Sequence, residues 1–152
     1  MEGREARLRR YRDGCNAVVE AVARLKPEDL DRATAGEWTP RQIVHHLADT
    51  ELFRSTRLRR LLTEESPTLQ AFDEGNLTFL RRLHYDRPIE ASFALFRAAS
   101  QTNLDLLARL LEDDWSREGT HTEVGRFTMD DWLERAAGHA QDHAEQILKD
   151  LA

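Results

Sequence analysis

Apolar residues recur at steps of three and four along four separate segments of the chain. In the first segment this stripe runs from Leu8 to Leu25, and Pro27 follows close behind it. Such spacing is typical of amphipathic helices that each bury one face, and it leaves little room for the alternation that strands require. The predicted helices cover approximately residues 8–25, 40–62, 88–111 and 128–151.

Two of these predicted helices carry clear start signals. Thr39 is a good N-cap, Pro40 suits the first helical position, and Gln42 stands where a capping box needs Glu or Gln. Thr128 opens the last helix in the same way, with Asp131 three residues on as its reciprocal cap. The beginnings of the second and fourth helices are therefore predicted from local chemistry alone.

Two longer connections separate the helices. Residues 63–87 keep a rough helical rhythm between Phe72 and Leu83, which allows a short helix, whereas residues 112–127 contain two glycines and are predicted to be a loop. Four amphipathic helices with hardly any strand-like alternation predict an all-α fold, a four-helix bundle, in which the 63–87 link can serve as a crossover. An irregular helical fold stays open on the pattern alone.

The length of 152 residues predicts a single domain over residues 1–152. Cys15 is the only cysteine and can close no intramolecular disulfide, which favours a reducing, cytoplasmic location. The N-terminus carries charge where a secretory signal is apolar, and no apolar run approaches the roughly 20 residues of a membrane-spanning helix. We therefore expect a soluble protein with no membrane partner.

The charge balance argues against nucleic acid as a partner. Twenty-two basic and 28 acidic residues give a net charge of −6, which repels a phosphate backbone unless the basic residues gather on one face. Arginines do cluster at 4–12 and 54–60, but both clusters are interleaved with apolar residues at helical spacing. Such runs are usually the solvated sides of amphipathic helices, and this is the interpretation for both.

Three histidines stand out as candidate metal ligands. His139 and His143 lie one helical turn apart beside the apolar stripe of the last predicted helix, and His46 borders the stripe of the second. Histidines at i and i+4 project from one face with imidazoles close enough to share an ion. A third imidazole from a facing helix would complete a three-nitrogen site with open positions, which is typical of a catalytic metal.

The other polar candidates are weaker. His45 falls about 100° round the helix from His46 and is the poorer ligand candidate of that adjacent pair. Asp49, three residues after His46, could orient an imidazole or act as a catalytic base, or it could be an exposed partner of a neighbouring arginine. His84 and His121 lie in the connections and are expected at the surface, unless the second connection folds inward and brings His121 over the site. A histidine at the edge of an apolar face is usually bonded to a carbonyl or water, so the pattern alone leaves a structural role open for each.

Several short motifs occur in order along residues 37–150 and together carry a family resemblance. They are Glu-Trp-Thr-Pro at 37–40 leading into HHLADTE, Arg57, PTLQAFDE at 67–74, the loop at 121–126 and the closing GHAQDHAEQI. In these motifs the chain resembles the DinB-like superfamily, and within it the YfiT-type branch of metal-dependent hydrolases and bacillithiol-type thiol transferases.

The resemblance implies a four-helix bundle with up-down-down-up connections, one divalent ion per subunit, commonly nickel or zinc, and frequent homodimers. It also implies three histidine ligands, which carry over onto His46, His139 and His143. Despite its DNA-damage-inducible name, the family implies no binding of DNA.

Two functional hypotheses follow. In the first, the three histidines hold a divalent ion, and a small-molecule substrate meets either water, for hydrolysis, or a low-molecular-weight thiol, for S-transfer. Asp49 is the candidate acidic auxiliary. In the alternative, the chain is a non-catalytic helical module that binds a small molecule or a protein, and its histidines are structural.

Overall fold

Four long helices make up most of the chain, and they confirm the predicted all-α four-helix bundle. The structure is a computed structural model that describes residues 2–33, 36–72, 77–149 and 151, with the side chains of 77–79 left aside. Within that part of the chain, no helix is both long and apolar enough to cross a membrane. The elements in chain order are α1 (Arg4–Ala23), a 3-10 turn (Pro27–Asp29), α2 (Pro40–Thr63), β1 (Thr68–Leu69), α3 (Leu77–Arg82), α4 (Glu90–Leu107), α5 (Glu112–Trp115), β2 (Glu118–His121), β3 (Gly125–Thr128) and α6 (Met129–Lys149).

The contacts of the two outer helices of the sequence, α1 and α6, show that they run in the same direction. Arg4 forms an ion pair with Asp130 at 3.4 Å, and Arg10 forms one with Glu134 at 2.8 Å. Residue numbers of the contacting pairs therefore increase in the same direction along both helices. Gly14 lies where they approach most closely, since a Cβ there would stand 3.1 Å from the backbone nitrogen of Gln141. The missing side chain therefore permits the close packing of α1 on α6.

The middle helices α2 and α4 are also parallel to each other. His45 meets Ser92 near their starts, and Arg59 meets Asn103 further along both. The pairing of α2 with α6 is antiparallel, because His46 lies beside His139 whereas the backbone carbonyl oxygen of Arg54, later in α2, accepts a hydrogen bond from Nε1 of Trp132, earlier in α6. These directions give the up-down-down-up order that the family resemblance implies.

Both predicted capping boxes are present. Thr39 Oγ1 accepts a hydrogen bond from the amide of Gln42 at 3.2 Å, and Gln42 Oε1 accepts one from the amide of Thr39 at 2.9 Å. Thr128 and Asp131 make the same reciprocal pair before α6, at 3.1 and 2.8 Å. These bonds satisfy backbone donors that a helix start leaves without intrahelical partners.

The bundle interior is filled by large apolar side chains from all four long helices. Trp132 and Tyr11 meet there edge to face, with ring centroids 5.7 Å apart. This core fixes the facing surfaces of α2 and α6, on which the candidate ligands lie. The largest fully buried side chains on these helices are Tyr11, Ile43, Leu47, Leu58, Leu61, Phe96, Met129, Trp132, Leu133 and Ile147.

The second connection was predicted to be a loop, and this prediction is wrong. Residues 112–127 contain α5, β2 and most of β3, and β2 pairs antiparallel with β3 in the register Glu118↔Thr128 and His121↔Gly125. The strand β1 adds to β2 in parallel. Burial does alternate along β2, but only over four residues, which is too short a run to be recognised in the sequence.

Two smaller differences concern the ends of elements. The third predicted helix begins at Glu90 rather than Pro88 and ends at Leu107, and Leu111 is 73% exposed at the start of α5 rather than buried on a helical stripe. The short helix allowed within 63–87 is present as α3. Residues 73–76, which include the end of the PTLQAFDE motif, lie outside the described residues.

Candidate metal centre

The structure brings together the three histidines that the sequence singled out. His46 projects from α2, and His139 and His143 project from α6, one turn apart. One ring nitrogen from each lies within 4.8 Å of the others, and this is the cluster of potential ligands found in the described part of the chain. The three rings meet because α2 and α6 pack antiparallel, so that the beginning of α2 lies beside the second half of α6.

His46 is the most buried of the three, with 3% of its surface exposed. Its Nε2 lies 3.1 Å from Nε2 of His139. Among the described residues, Nδ1 of His46 is buried and has no hydrogen-bond partner. The edge of Trp38 packs against the ring, with centroids 4.9 Å apart, so an aromatic wall holds the imidazole in place.

His143 is oriented by a neighbour on its own helix. Its Nδ1 lies 2.9 Å from Oε1 of Gln146, three residues later and hence on the same helical face. Because a carbonyl oxygen only accepts, Nδ1 carries the proton in this hydrogen bond, and the lone pair of a neutral ring is then on Nε2. This arrangement is typical of a metal-ligating histidine, whose other nitrogen donates to a fixed acceptor.

His139 has a cationic neighbour. Nη1 of Arg54 donates to Nδ1 of His139 at 3.0 Å, and a guanidinium can only donate. The neutral ring therefore carries its proton on Nε2, which donates to Nε2 of His46. With an ion at Nε2, a neutral ring of His139 would carry its proton on Nδ1 instead, and Arg54 would lose that acceptor.

The environment keeps two of these imidazoles neutral. Burial, followed by the charges of His143 and Arg54, lowers the pKa of His46 to about 3. Burial, followed by the charge of Arg54, also lowers the pKa of His139 far below its usual range. At neutral pH both rings therefore have a lone pair, which is the form that binds metal.

These donors fit a divalent ion. Two nitrogens bound tetrahedrally to zinc at about 2.0–2.1 Å lie about 3.3 Å apart, and the Nε2 atoms of His46 and His139 are separated by 3.1 Å. Imidazole nitrogens suit zinc and nickel alike. Three protein ligands leave coordination positions for water or substrate, which is the arrangement of catalytic sites rather than structural ones.

His45 and Asp49 belong to a separate set of contacts. His45 is fully buried, with Nδ1 2.7 Å from Oγ of Ser92 and Nε2 2.9 Å from the carbonyl oxygen of Arg87, so both ring nitrogens are engaged. Asp49 accepts a hydrogen bond from the hydroxyl of Tyr85 at 2.7 Å and does not join the histidine cluster. The preference for His46 over His45 thus agrees with the geometry, and a catalytic role for Asp49 stays a prediction.

A cavity of about 690 Å³ opens beside His139. His121, expected at the surface by default, is only 5% exposed and lines this cavity, because its connection folds inward as a hairpin. Burial, then the charges of Arg57 and Arg135, lowers the pKa of His121. The residues around the cavity are Arg54, Arg57, Ala71, Phe72, His121, Glu123, Phe127, Trp132, Glu134, Arg135, Gly138, His139 and Asp142.

Two arginines and one glutamine lie at the candidate site although the sequence analysis did not place them there. Arg54 and Arg57, assigned to a solvated helix side, are half-buried in the cavity wall. Arg57 lies eleven residues after His46, which at about 100° per residue returns it to the same helical face, and this was the available signal. Gln146 had an equal signal, since it stands three residues after a candidate ligand.

Comparison with known proteins identifies the relatives of this chain. The family model for the DinB superfamily matches residues 10–147. A protein of Oceanobacillus iheyensis named "putative metal-dependent hydrolase" is 34% identical over 133 residues, which cover 87% of this chain and 74% of that protein. A second protein of the same organism and name is 30% identical over 133 residues, covering 87% of this chain and 76% of its own length.

Two solved structures share the fold. YfiT from Bacillus subtilis, described as a probable metal-dependent hydrolase with an unusual four-helix bundle topology, has a TM-score of 0.83 and 24% identity, covering 98% of this chain and 87% of YfiT. A mycothiol-dependent maleylpyruvate isomerase has a TM-score of 0.74 and 18% identity, covering 97% of this chain and 64% of the isomerase. At these identities the likeness establishes the fold.

Proposed function

The chain belongs to the DinB superfamily, and on that premise we propose that it is a metal-dependent enzyme acting on a small molecule. His46, His139 and His143 are the proposed ligands of one divalent ion, nickel or zinc. The observation that carries the proposal is the convergence of three imidazole nitrogens within 4.8 Å from two facing helices. The relatives named as metal-dependent hydrolases make hydrolysis the first candidate reaction.

A divalent ion held here would supply Lewis acidity and would lower the pKa of a water or thiol nucleophile. The protein supplies orientation and exclusion of water. Gln146 fixes the ring of His143, and Trp38 packs on the buried ring of His46. The cavity beside His139 offers space for a substrate next to this proposed ligand.

The second candidate reaction joins a low-molecular-weight thiol to a small-molecule electrophile. The mycothiol-dependent isomerase of the same fold uses a thiol, as its name states. A thiolate is a good metal ligand and a good nucleophile, so one set of three imidazoles can serve either reaction. Under this proposal the two reactions differ only in the nucleophile that enters the cavity.

Asp49 is proposed as a positioning residue. Its carboxylate, which Tyr85 holds by a hydrogen bond at 2.7 Å, lies one turn from His46 on α2. Through Tyr85, whose ring lies 6.4 Å from that of Trp38, it stiffens the aromatic wall behind His46. Replacement with Asn keeps the acceptor oxygen and is expected to retain most activity, whereas Ala is expected to lower kcat.

The first test of the proposed function is metal content. Protein purified without a histidine tag is expected to hold close to one equivalent of divalent metal by elemental analysis, and His143→Ala is expected to lose it. His84→Asn is the matched control, since His84 is an exposed histidine with a φ of 51° that Asn tolerates. Helical circular dichroism of each variant checks that the bundle remains folded.

The second test is catalysis by the metal-loaded protein in panels of ester and amide hydrolysis and of thiol transfer. Activity in one panel that disappears in His143→Ala supports the corresponding reaction. Equal metal content in wild type and His143→Ala contradicts the proposed ligands. Stoichiometric metal without activity in either panel would favour a non-catalytic binding module.

A further inference from the structure

Three arginines line the cavity beside His139. Arg54 and Arg57 come from α2, and Arg135 comes from α6. Arg54 contacts the candidate ligand itself, through its hydrogen bond to Nδ1 of His139 at 3.0 Å. The arginines of this cavity therefore lie next to one of the proposed metal ligands.

Two of these charges have no anionic partner. In the described part of the chain, Arg54 makes its polar contact to a neutral imidazole, and Arg135 lies over the ring of Phe127 at 5.4 Å. Neither forms an ion pair with a carboxylate among those residues. Arg57 donates to the carbonyl oxygen of Gln70 and lies over the ring of Phe72 at 4.8 Å. Arg135 is exposed, whereas Arg54 is half-buried, and a half-buried guanidinium without a carboxylate is costly unless a ligand supplies one.

The acidic residues of the same cavity do not neutralise these two arginines. Glu134 is engaged by Arg10 of α1 at 2.8 Å. Asp142 is exposed on α6 and also acts on the charge of Arg10, on the α1 side. Glu123 is exposed in the turn of the hairpin. Glu123, Glu134 and Asp142 therefore form no ion pair with Arg54 or Arg135 in the described part of the chain.

We propose that this cavity binds the carboxylate of a small molecule, with Arg54 and Arg135 as the anion-binding residues. The guanidinium offers paired N–H donors that match a carboxylate in two parallel hydrogen bonds. That this small molecule is the substrate rests on the proposed function. The substrates are then small organic acids.

The aromatic rings of the cavity indicate the rest of the ligand. Phe72 and Phe127 both line it, each beneath an arginine, and Trp132 contributes to the same wall. Flat apolar surfaces next to guanidinium groups suit an acid with an apolar body, since burial of that body adds to the charge-assisted hydrogen bonds. A short acid without such a body is expected to bind more weakly.

The test uses benzoate, acetate and benzyl alcohol as probes, titrated into the full chain by isothermal calorimetry with and without metal. Benzoate is expected to bind the metal-free protein saturably, acetate more weakly, and benzyl alcohol least. Arg54→Gln and Arg135→Gln should each weaken benzoate binding about tenfold, the loss of one charge-assisted hydrogen bond. Arg12→Gln is the matched control, because Arg12 is an exposed arginine of α1 outside the cavity.

His143→Ala separates this inference from the proposed function. It is expected to lose metal and to keep benzoate binding, so failure of the metal site leaves the anion site testable. Equal binding of benzyl alcohol and benzoate, or unchanged affinity in both arginine variants, would overturn the inference. So would benzoate binding that occurs only with metal present, because the carboxylate would then be a ligand of the ion.

Discussion

Helix α2 carries two buried polar clusters about one turn apart, and they are satisfied to different degrees. In the histidine cluster, Nδ1 of His46 has no partner among the described residues, and Nε2 of His46 meets only another imidazole. In the second cluster, built around Glu51, every buried side-chain oxygen or nitrogen has a partner within the described residues.

Glu51 is 3% exposed, and its carboxyl is held from two other helices. It accepts hydrogen bonds from the hydroxyl of Tyr11 on α1 and from the amide of Asn103 on α4, the latter at 2.9 Å. Asn103 also donates to Ser55 at 2.9 Å. Burial raises the pKa values of both Glu51 and Tyr11, so both groups favour their neutral forms.

The two clusters differ in their hydrogen-bond partners, and this difference indicates the role of each. A cluster whose side chains form hydrogen bonds between helices ties those helices together. In the histidine cluster two Nε2 atoms face one another and Nδ1 of His46 has no partner among the described residues, an arrangement expected of metal ligands rather than of a purely structural cluster. Burial alone does not separate the two, since His46 and Glu51 are equally buried.

The largest expected effect in this comparison is on stability, from the Glu51 cluster. Glu51→Ala leaves the Tyr11 hydroxyl and the Asn103 amide without a buried acceptor and opens a cavity, so we expect a loss of about 3 kcal/mol in the free energy of unfolding. Glu51→Gln keeps one acceptor and should lose about 1 kcal/mol. Urea denaturation of both variants measures the difference. An alanine variant as stable as wild type would show that this cluster does not tie the bundle together.

A smaller effect is expected from the residue that orients His143. Gln146→Ala removes the acceptor from Nδ1, and we expect metal affinity to fall about tenfold, as for other partners of ligating histidines. Competition with a chelator of known affinity measures this, and the unfolding free energy of the metal-free variant should stay close to wild type. Gln141→Ala, which loses only an exposed contact with Glu145, is the control. Equal affinities in the two variants would contradict the role of Gln146.

The smallest effect is the response of the metal-free protein to acid. Burial lowers the pKa of His46 to about 3 in the fold, below its usual value of 6.5. Between these values the unfolded chain binds a proton that the folded chain does not, so stability falls as the pH drops below 6.5. At pH 5.5 the expected loss from His46 is about 1 kcal/mol.

His46→Gln should remove the contribution of His46 to that acid sensitivity when denaturation at pH 7.5 and 5.5 is compared, and the contribution of His139, whose pKa is also lowered, should remain. The raised pKa of Glu51 acts in the opposite sense, because its folded form takes up a proton before the unfolded chain does, and Glu51→Gln removes that contribution. The two variants should therefore shift the pH dependence in opposite directions. Shifts of the same sign would contradict the difference between the clusters.

Local signals made part of this structure predictable. Thr39 and Thr128 mark helix starts because a capping box is complete within four residues. The helical positions of His46, His139 and His143 placed all three beside apolar stripes, and antiparallel packing then made them meet. The family resemblance supplied what the pattern could not, namely that α2 and α6 face each other.

Features that depend on distant partners were not predictable. The strand β2 is four residues long and pairs with the adjacent β3 and with the distant β1, and its short, glycine-containing sequence favoured the prediction of a loop. Arg54 contacts the cluster through a hydrogen bond to His139, which lies on the distant helix α6. The Glu51 cluster joins residues 40 and 52 positions apart, and nothing in the sequence near Glu51 indicates a buried carboxyl.

The separation of His46 from His139 along the chain has a consequence for assembly. These residues are 93 positions apart, and the intervening segment contains α4 and the whole sheet. An ion shared between them would close a long loop and would bind the folded chain far better than the unfolded one. It would therefore act as a cross-link between the two halves of the polypeptide, and its loss would be registered as a lower unfolding temperature throughout the molecule.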